Sequence, residues 1–200
     1  MEPLAQSILE FWFGSSDDNG RVDDDTKARW FKKDPQFDAL ISKKFAEYLE
    51  PAVWGAFDRW PQEPAGRVAL IILLDQFPRN MYRQDPRAFY FDQKAQMLSL
   101  ESFRKEEYLT VPFYYGYFSL MPLMHAENSD LQQMCVAGFQ KLADQAPDDL
   151  QASALQGLDF AKRHQDIIAR FGRFPHRNTI LGRESSQDEL EFLQQAGSSF

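Results

Sequence analysis

The stretch FGRFPHRNTILGR, Phe171 to Arg183, sets three arginines, a histidine and an asparagine in a turn broken by glycine and proline. The guanidinium forks of Arg173, Arg177 and Arg183, with the amide of Asn178, are donors suited to a carboxylate or phosphate. His176 adds a ring that can move a proton near neutral pH. A shorter echo, DQFPRN, ends an apolar run and supplies Asp75, Gln76, Arg79 and Asn80. A carboxylate in the last turn of an apolar helix is opposed by desolvation and by the helix dipole, so Asp75 requires a partner. Arg79, four residues on, would make Asp75 structural; His176 or Arg177 would make it part of a site.

His125 and Glu127 form a third polar cluster, placed just after the apolar string SLMPLM. A spacing of two does not share a helical face, yet in a bent segment both can reach one cavity. In the helix before the long motif, Phe160, His164, Ile167, Ile168 and Phe171 fall on one face, so His164 points inward. The catalytic candidates are therefore His125, Glu127 and His176, with His164 lining the same space and acid–base work open to any of the three histidines. Together with Glu127 they could also form a zinc or iron ligand set, but neither HExxH nor CxxC occurs. No metal or other cofactor is assigned. A nucleophile elbow, a P-loop and a GxGxxG string are all missing from the sequence. The bland reading is ordinary capping: arginines past a helix end satisfy its free carbonyls, and Phe-Pro stops the helix.

These residues need helices to position them. Asp34–Pro35 and Asp85–Pro86 read as N-caps followed by proline at the first helical position. Ser129 with Gln132, Asp148 with Gln151, and Ser186 with Glu189 have capping-box spacing. Phe37, Leu40, Ile41, Phe45, Tyr48 and Leu49 trace one apolar helical face. VALIILL, Val68 to Leu74, is ambiguous by periodicity; with helices on both sides it is expected to be a central helix. Leu4 to Phe13 reads as a helix stopped by Gly14, and Ser15 to Asp25 as an acidic, mobile loop. Val111 to Met124 reads as helix with a break near Pro122.

Composition narrows the partners. At 200 residues, 44% of them hydrophobic, the chain can bury a single core, and one helical domain over residues 1–200 is expected. A net charge of −8 and a pI near 4.9 oppose nucleic acid and anionic lipid. The lone Cys135 lies in an apolar helical pattern, as a buried inert thiol in a reducing compartment would. With no basic leader and no long uncharged apolar run, a cytoplasmic protein is expected.

Four ordered strings resemble a known family: ILEFWFG (Ile8 to Gly14), LDQFPRN (Leu74 to Asn80), MPLMHAEN (Met121 to Asn128) and RFGRFPHRN with its LGR (Arg170 to Arg183). They are similar to the bacterial domain of unknown function 924, over nearly the whole chain. The resemblance implies an all-α, tetratricopeptide-like right-handed array of antiparallel helical hairpins, and no established activity, cofactor or catalytic residue. Where that family usually reads HSE this chain has His125, Ala126 and Glu127, which argues against a serine nucleophile there. The reading preferred from the sequence is a pocket for a small acidic metabolite. Arg79, Arg173, Arg177 and Arg183 hold the ligand, and Asp75, Gln76, Asn80 and Asn178 orient them. The alternatives are a hydrolase or lyase using the same pocket, or a structural or interaction module in which the motifs are buried networks. A protein partner or homo-oligomer stays open.

Overall fold

Pro3 in the first turn and Gly14 at φ +65° bound α1 (Pro3–Phe13), whose inward residues Ala5, Ile8, Leu9, Trp12 and Phe13 are fully buried. The computed structural model describes residues 1–14 and 20–198, and its elements are helical throughout. The expected mobile loop lies partly outside the described residues, at 15–19. At its other end Asp24 and Asp25 already belong to α2 (Asp24–Phe31), because Asp23 caps that helix through Thr26 N at 2.8 Å. Asp34 caps α3 (Pro35–Phe45) as expected, accepting from Gln36 N at 2.9 Å and Phe37 N at 3.2 Å. The Phe37 face then continues through a 3-10 turn into α4 (Leu49–Val53).

The ambiguous run is the central helix. Every residue from Val68 to Leu74 is buried, within α5 (Pro64–Ile71) and the π turn Ile72–Gln76 that follows it. In that turn Phe77 N–H reaches back five residues to Ile72 O, and α6 (Phe77–Met81) continues with Pro78 in its first turn. Arg67, almost fully buried on α5, is held by Glu107 at 2.7 Å, Glu101 at 2.9 Å and the carbonyl of Pro61 at 2.8 Å. Asp85 caps only a one-turn 3-10 segment, Pro86–Phe89, where the sequence led us to expect an α-helix.

Four longer helices then pack each on the next: α7 (Asp92–Arg104), α8 (Phe113–Met124), α9 (Ser129–Gln145) and α10 (Gln151–Phe171). The expected break at Pro122 does not occur. Proline near a helix end removes only one ladder bond, and the last carbonyls of α8 find another donor in the Gln132 side chain. Two expected caps are displaced as well. Asn128, not Ser129, caps α9 through Leu131 N at 3.0 Å, which frees Gln132 for that other task. Asp148 makes no side-chain cap, and α10 starts after Leu150. Ser186 and Glu189 do form the full capping box of α11 (Gln187–Leu193). No described helix is long and apolar enough to cross a membrane.

The core is strongly aromatic. Trp12 meets Phe77 and Phe118 edge-on at 5.7 and 5.6 Å, and Trp30 Nε1 donates to Trp12 O at 2.8 Å. Gly116 lets α8 lie against the chain at Tyr108, since a Cβ there would collide with the Tyr108 carbonyl oxygen. Backbone cannot rotate away as a side chain can. Gly116→Ala should therefore lose about 1–3 kcal/mol, read as a lower urea midpoint at unchanged slope. A midpoint equal to the parent's would show that α8 slides at no cost.

Candidate functional site

The π turn delivers Asp75 to the end of the central helix, with its side chain 1% exposed. Its carboxylate takes Gln76 Nε2 at 2.6 Å, Arg79 Nη1 at 3.1 Å and His125 Nδ1 at 2.8 Å. Both sequence alternatives for Asp75 thus miss the histidine it meets: Arg79 is a partner, and His125, rather than His176 or Arg177, is the second. Arg79 also forks onto Asp92 at 2.8 and 2.9 Å, from the first residue of α7. Arg177, in the 3-10 turn Pro175–Arg177, donates from Nη2 to the carbonyl of His125 at 3.0 Å, while its Nη1 stays 3.8 Å from Asp92. The rings of Phe89 and Phe174 lie 4.7 and 4.6 Å from its Cζ. Arg177 Nε is buried with no hydrogen-bond partner.

A second knot adjoins the first. Glu127 accepts Arg183 at 2.6 and 2.9 Å and Phe174 N at 2.8 Å. Arg183 Nε reaches Asn178 Oδ1 at 3.0 Å, and Asn178 Nδ2 donates to Ser185 Oγ at 3.0 Å. His164 and His176 flank the ring of Phe174, at 5.5 and 5.7 Å between centroids. Two of the proposed residues turn elsewhere. Asn80 bridges Gln76 O and Arg83, which in turn holds Asp38 on α3 at 2.6 and 2.9 Å. Arg173 forks onto Glu189 of α11 at 2.7 and 2.8 Å, beside a surface hollow of about 420 Å³.

Charge is balanced at the first knot, with Asp75 and Asp92 facing Arg79 and Arg177. Burial pushes the Asp75 carboxyl up, but Arg79, His125 and Gln76 outweigh it and bring it down to about 2. Burial, opposed by Asp75 and reinforced by Arg79, holds His125 below the usual histidine range. Burial also takes His164 down to about 3 and His176 to about 4, with Arg177 adding to both. Arg177 itself falls to about 10, through burial and then the repulsion of Arg79. At neutral pH Asp75 is therefore ionised, and the imidazoles of His164 and His176 are neutral.

Residues 8–197 match the family model described as "Bacterial protein of unknown function (DUF924)". The chain belongs to DUF924. A solved structure, "Structure of Protein of Unknown Function ATU0120 from Agrobacterium tumefaciens", is similar at 32% identity and a TM-score of 0.77, covering 96% of this chain and 97% of that one. No curated protein matches.

In this DUF924 protein the residues missed by sequence reasoning are Asp92, Phe89 and Gln132. Asp92 is a first-turn acid of α7, and nothing local in the sequence marks it as the partner of an arginine thirteen residues earlier. Gln132, fully buried, donates its amide to the carbonyls of Met124 at 2.7 Å, Ala126 at 2.8 Å and Leu123 at 3.3 Å. It thereby fixes the turn that carries His125 and Glu127. Its capping-box spacing from Ser129 concealed that role. Among the described residues, no group of three or more His, Cys, Asp or Glu side chains is placed to hold a metal ion, so the three histidines and Glu127 do not assemble into a ligand set.

Proposed function

We propose that this DUF924 protein acts on a small anionic molecule, with His125 as general base, Asp75 as the group that orients it, and Arg177 as the anion contact. The single observation that carries the reading is the 2.8 Å bond between His125 Nδ1 and Asp75 Oδ1. An ionised carboxylate there fixes the proton on Nδ1 and leaves the Nε2 lone pair as the basic site. The imidazole is neutral at physiological pH and its side chain keeps 13% of its surface exposed, as a base that must accept a proton requires. His164 and His176, beside Phe174, and Asn178, on Arg183, lie in the adjoining knot. The small acidic ligand stays the preferred partner, and a cytoplasmic setting agrees with the buried free thiol of Cys135.

A second reading has specific support. Arg79, Arg173 and Arg183 are each saturated by a carboxylate, which is what a purely structural network of helix-end clips contains. Incubating the parent with pooled carboxylic and phosphorylated metabolites, followed by mass spectrometry, separates the two. A compound consumed by the parent should be turned over some 10²–10⁴ times more slowly by His125→Asn. Turnover that survives this substitution, or a parent that consumes nothing, would count for the structural network.

A further inference from the structure

We infer that a surface hollow at the start of α8 binds a small neutral molecule with an apolar body and one carbonyl oxygen, which accepts from the Tyr108 hydroxyl. This site is separate from the His125 knot and independent of the role given to it. Phe113 and His125 stand at opposite ends of α8, about 18 Å apart along its axis.

The hollow, of about 340 Å³, lies between the connection that follows the 3-10 turn Glu107–Leu109 and the C-terminal end of α9. Small-molecule sites occupy about 300–1,000 Å³. Leu109, Val111 and Phe113 wall one side, and Leu142 and Ala146 the other. Pro112 and Pro147 complete the lining and have no N–H to offer a ligand. Among the described residues no ionised side chain lines the hollow, and Lys105 and Lys141 close by in the chain are each taken by a carboxylate. An anion there would be desolvated without a counter-charge.

Tyr108 supplies direction. It lines the hollow, is 1% exposed and stacks its ring on Phe103 at 6.1 Å, yet its hydroxyl is buried with no hydrogen-bond partner among the described residues. A buried O–H left unsatisfied gains most from an acceptor. Burial and then the Glu106 carboxylate push this phenol up to about 12, so it keeps its proton at neutral pH. Glu106 in turn pairs with Lys141 of α9, the helix whose Leu142 forms the far wall. Thr110, also in the lining, already donates to Glu107 O at 2.9 Å. A carbonyl oxygen would accept from Tyr108 without bringing a donor of its own into an apolar lining.

Titration of isotopically labelled protein with acetophenone, fluorobenzene and benzoate, followed by nuclear magnetic resonance, tests this. Acetophenone should shift Tyr108, Val111 and Leu142 and leave His125 unmoved. Fluorobenzene, which lacks the carbonyl, should bind about fivefold more weakly, and benzoate more weakly still. Tyr108→Phe should fold as stably as the parent, because it deletes only an oxygen without a partner, and should lower acetophenone to the affinity of fluorobenzene. No binding by acetophenone, shifts centred elsewhere, fluorobenzene or benzoate binding as tightly as acetophenone, or acetophenone indifferent to Tyr108→Phe would each overturn the inference. A Tyr108→Phe variant that unfolds or loses stability would show the hydroxyl to be satisfied within the fold, and overturns it as well.

Discussion

Asp75→Ala should cost roughly 3–5 kcal/mol of stability, because it removes one member of a buried ionic cluster and leaves the others unpaired. Arg79 would keep Asp92 but lose the carboxylate 3.1 Å away, and the Nδ1 proton of His125 would lose its acceptor. Asp75→Asn should be milder in urea, since shape and one acceptor remain. It should nevertheless disturb the imidazole more selectively, because an amide can donate to Nδ1 and force the proton onto Nε2, where a base must be vacant. The pair of variants therefore separates scaffold from chemistry: equilibrium unfolding reads the first, and the nitrogen-15 signature of His125 the second. An alanine variant that loses less than about 1 kcal/mol would show that the cluster contributes nothing to the fold.

Mild acid should unfold the protein through its histidines. The folded values of about 3 for His164 and about 4 for His176 lie below the ordinary 6.5. Below pH 6.5 the unfolded chain binds protons that the folded chain refuses, so stability falls as pH falls, and continues to fall until the folded values are reached. His164 is 5% exposed, and between pH 5.5 and 4.5 it alone should contribute a slope of about 1.4 kcal/mol per pH unit. His176 and His125 act in the same direction. The carboxylates enter later: Asp75 and Glu189, both brought to about 2, lose their contribution only as pH drops from their ordinary range toward 2. Urea midpoints measured from pH 7 to 4.5 should thus decline steeply in the parent and less steeply in His164→Gln. Coincident profiles for parent and His164→Gln would refute this assignment.

How much of this could be read from the chain depends on the range of the interaction. Apolar spacing located the helices and placed His164 inward, because a helical face is set by residues three and four apart. The resemblance carried by four strings anticipated the all-α fold that the family match and the Agrobacterium structure support. Local turn chemistry did less well. Asn128 and Ser129 are equally plausible caps on paper, and only the packing of Gln132 against the end of α8 decides between them. The DQFPRN, MHAEN and FPHRN strings do come together, but the sequence could not say which arginine would be saturated. Arg173 and Arg177 stand four residues apart in one motif, yet Glu189 captures the first while the second keeps a vacant Nε. Glu189 and Asp92 are the deciding residues: the first shows in the sequence only as a capping-box partner of Ser186, and the second belongs to no motif.

The π turn at Ile72–Gln76 has a geometric corollary. An α-helix advances about 100° per residue, so one surplus residue changes the angular phase of everything beyond it. From Val68 to Leu74 the helix shows only hydrocarbon to its neighbours; past the insertion, Arg79 and Arg83 are aimed at Asp92 and Asp38, on two different helices. Shortening this helix by a single position would swing both cations roughly a quarter turn off target without altering any side chain. Angular phase, carried by backbone count inside the most apolar segment, is what aligns the polar end of the molecule.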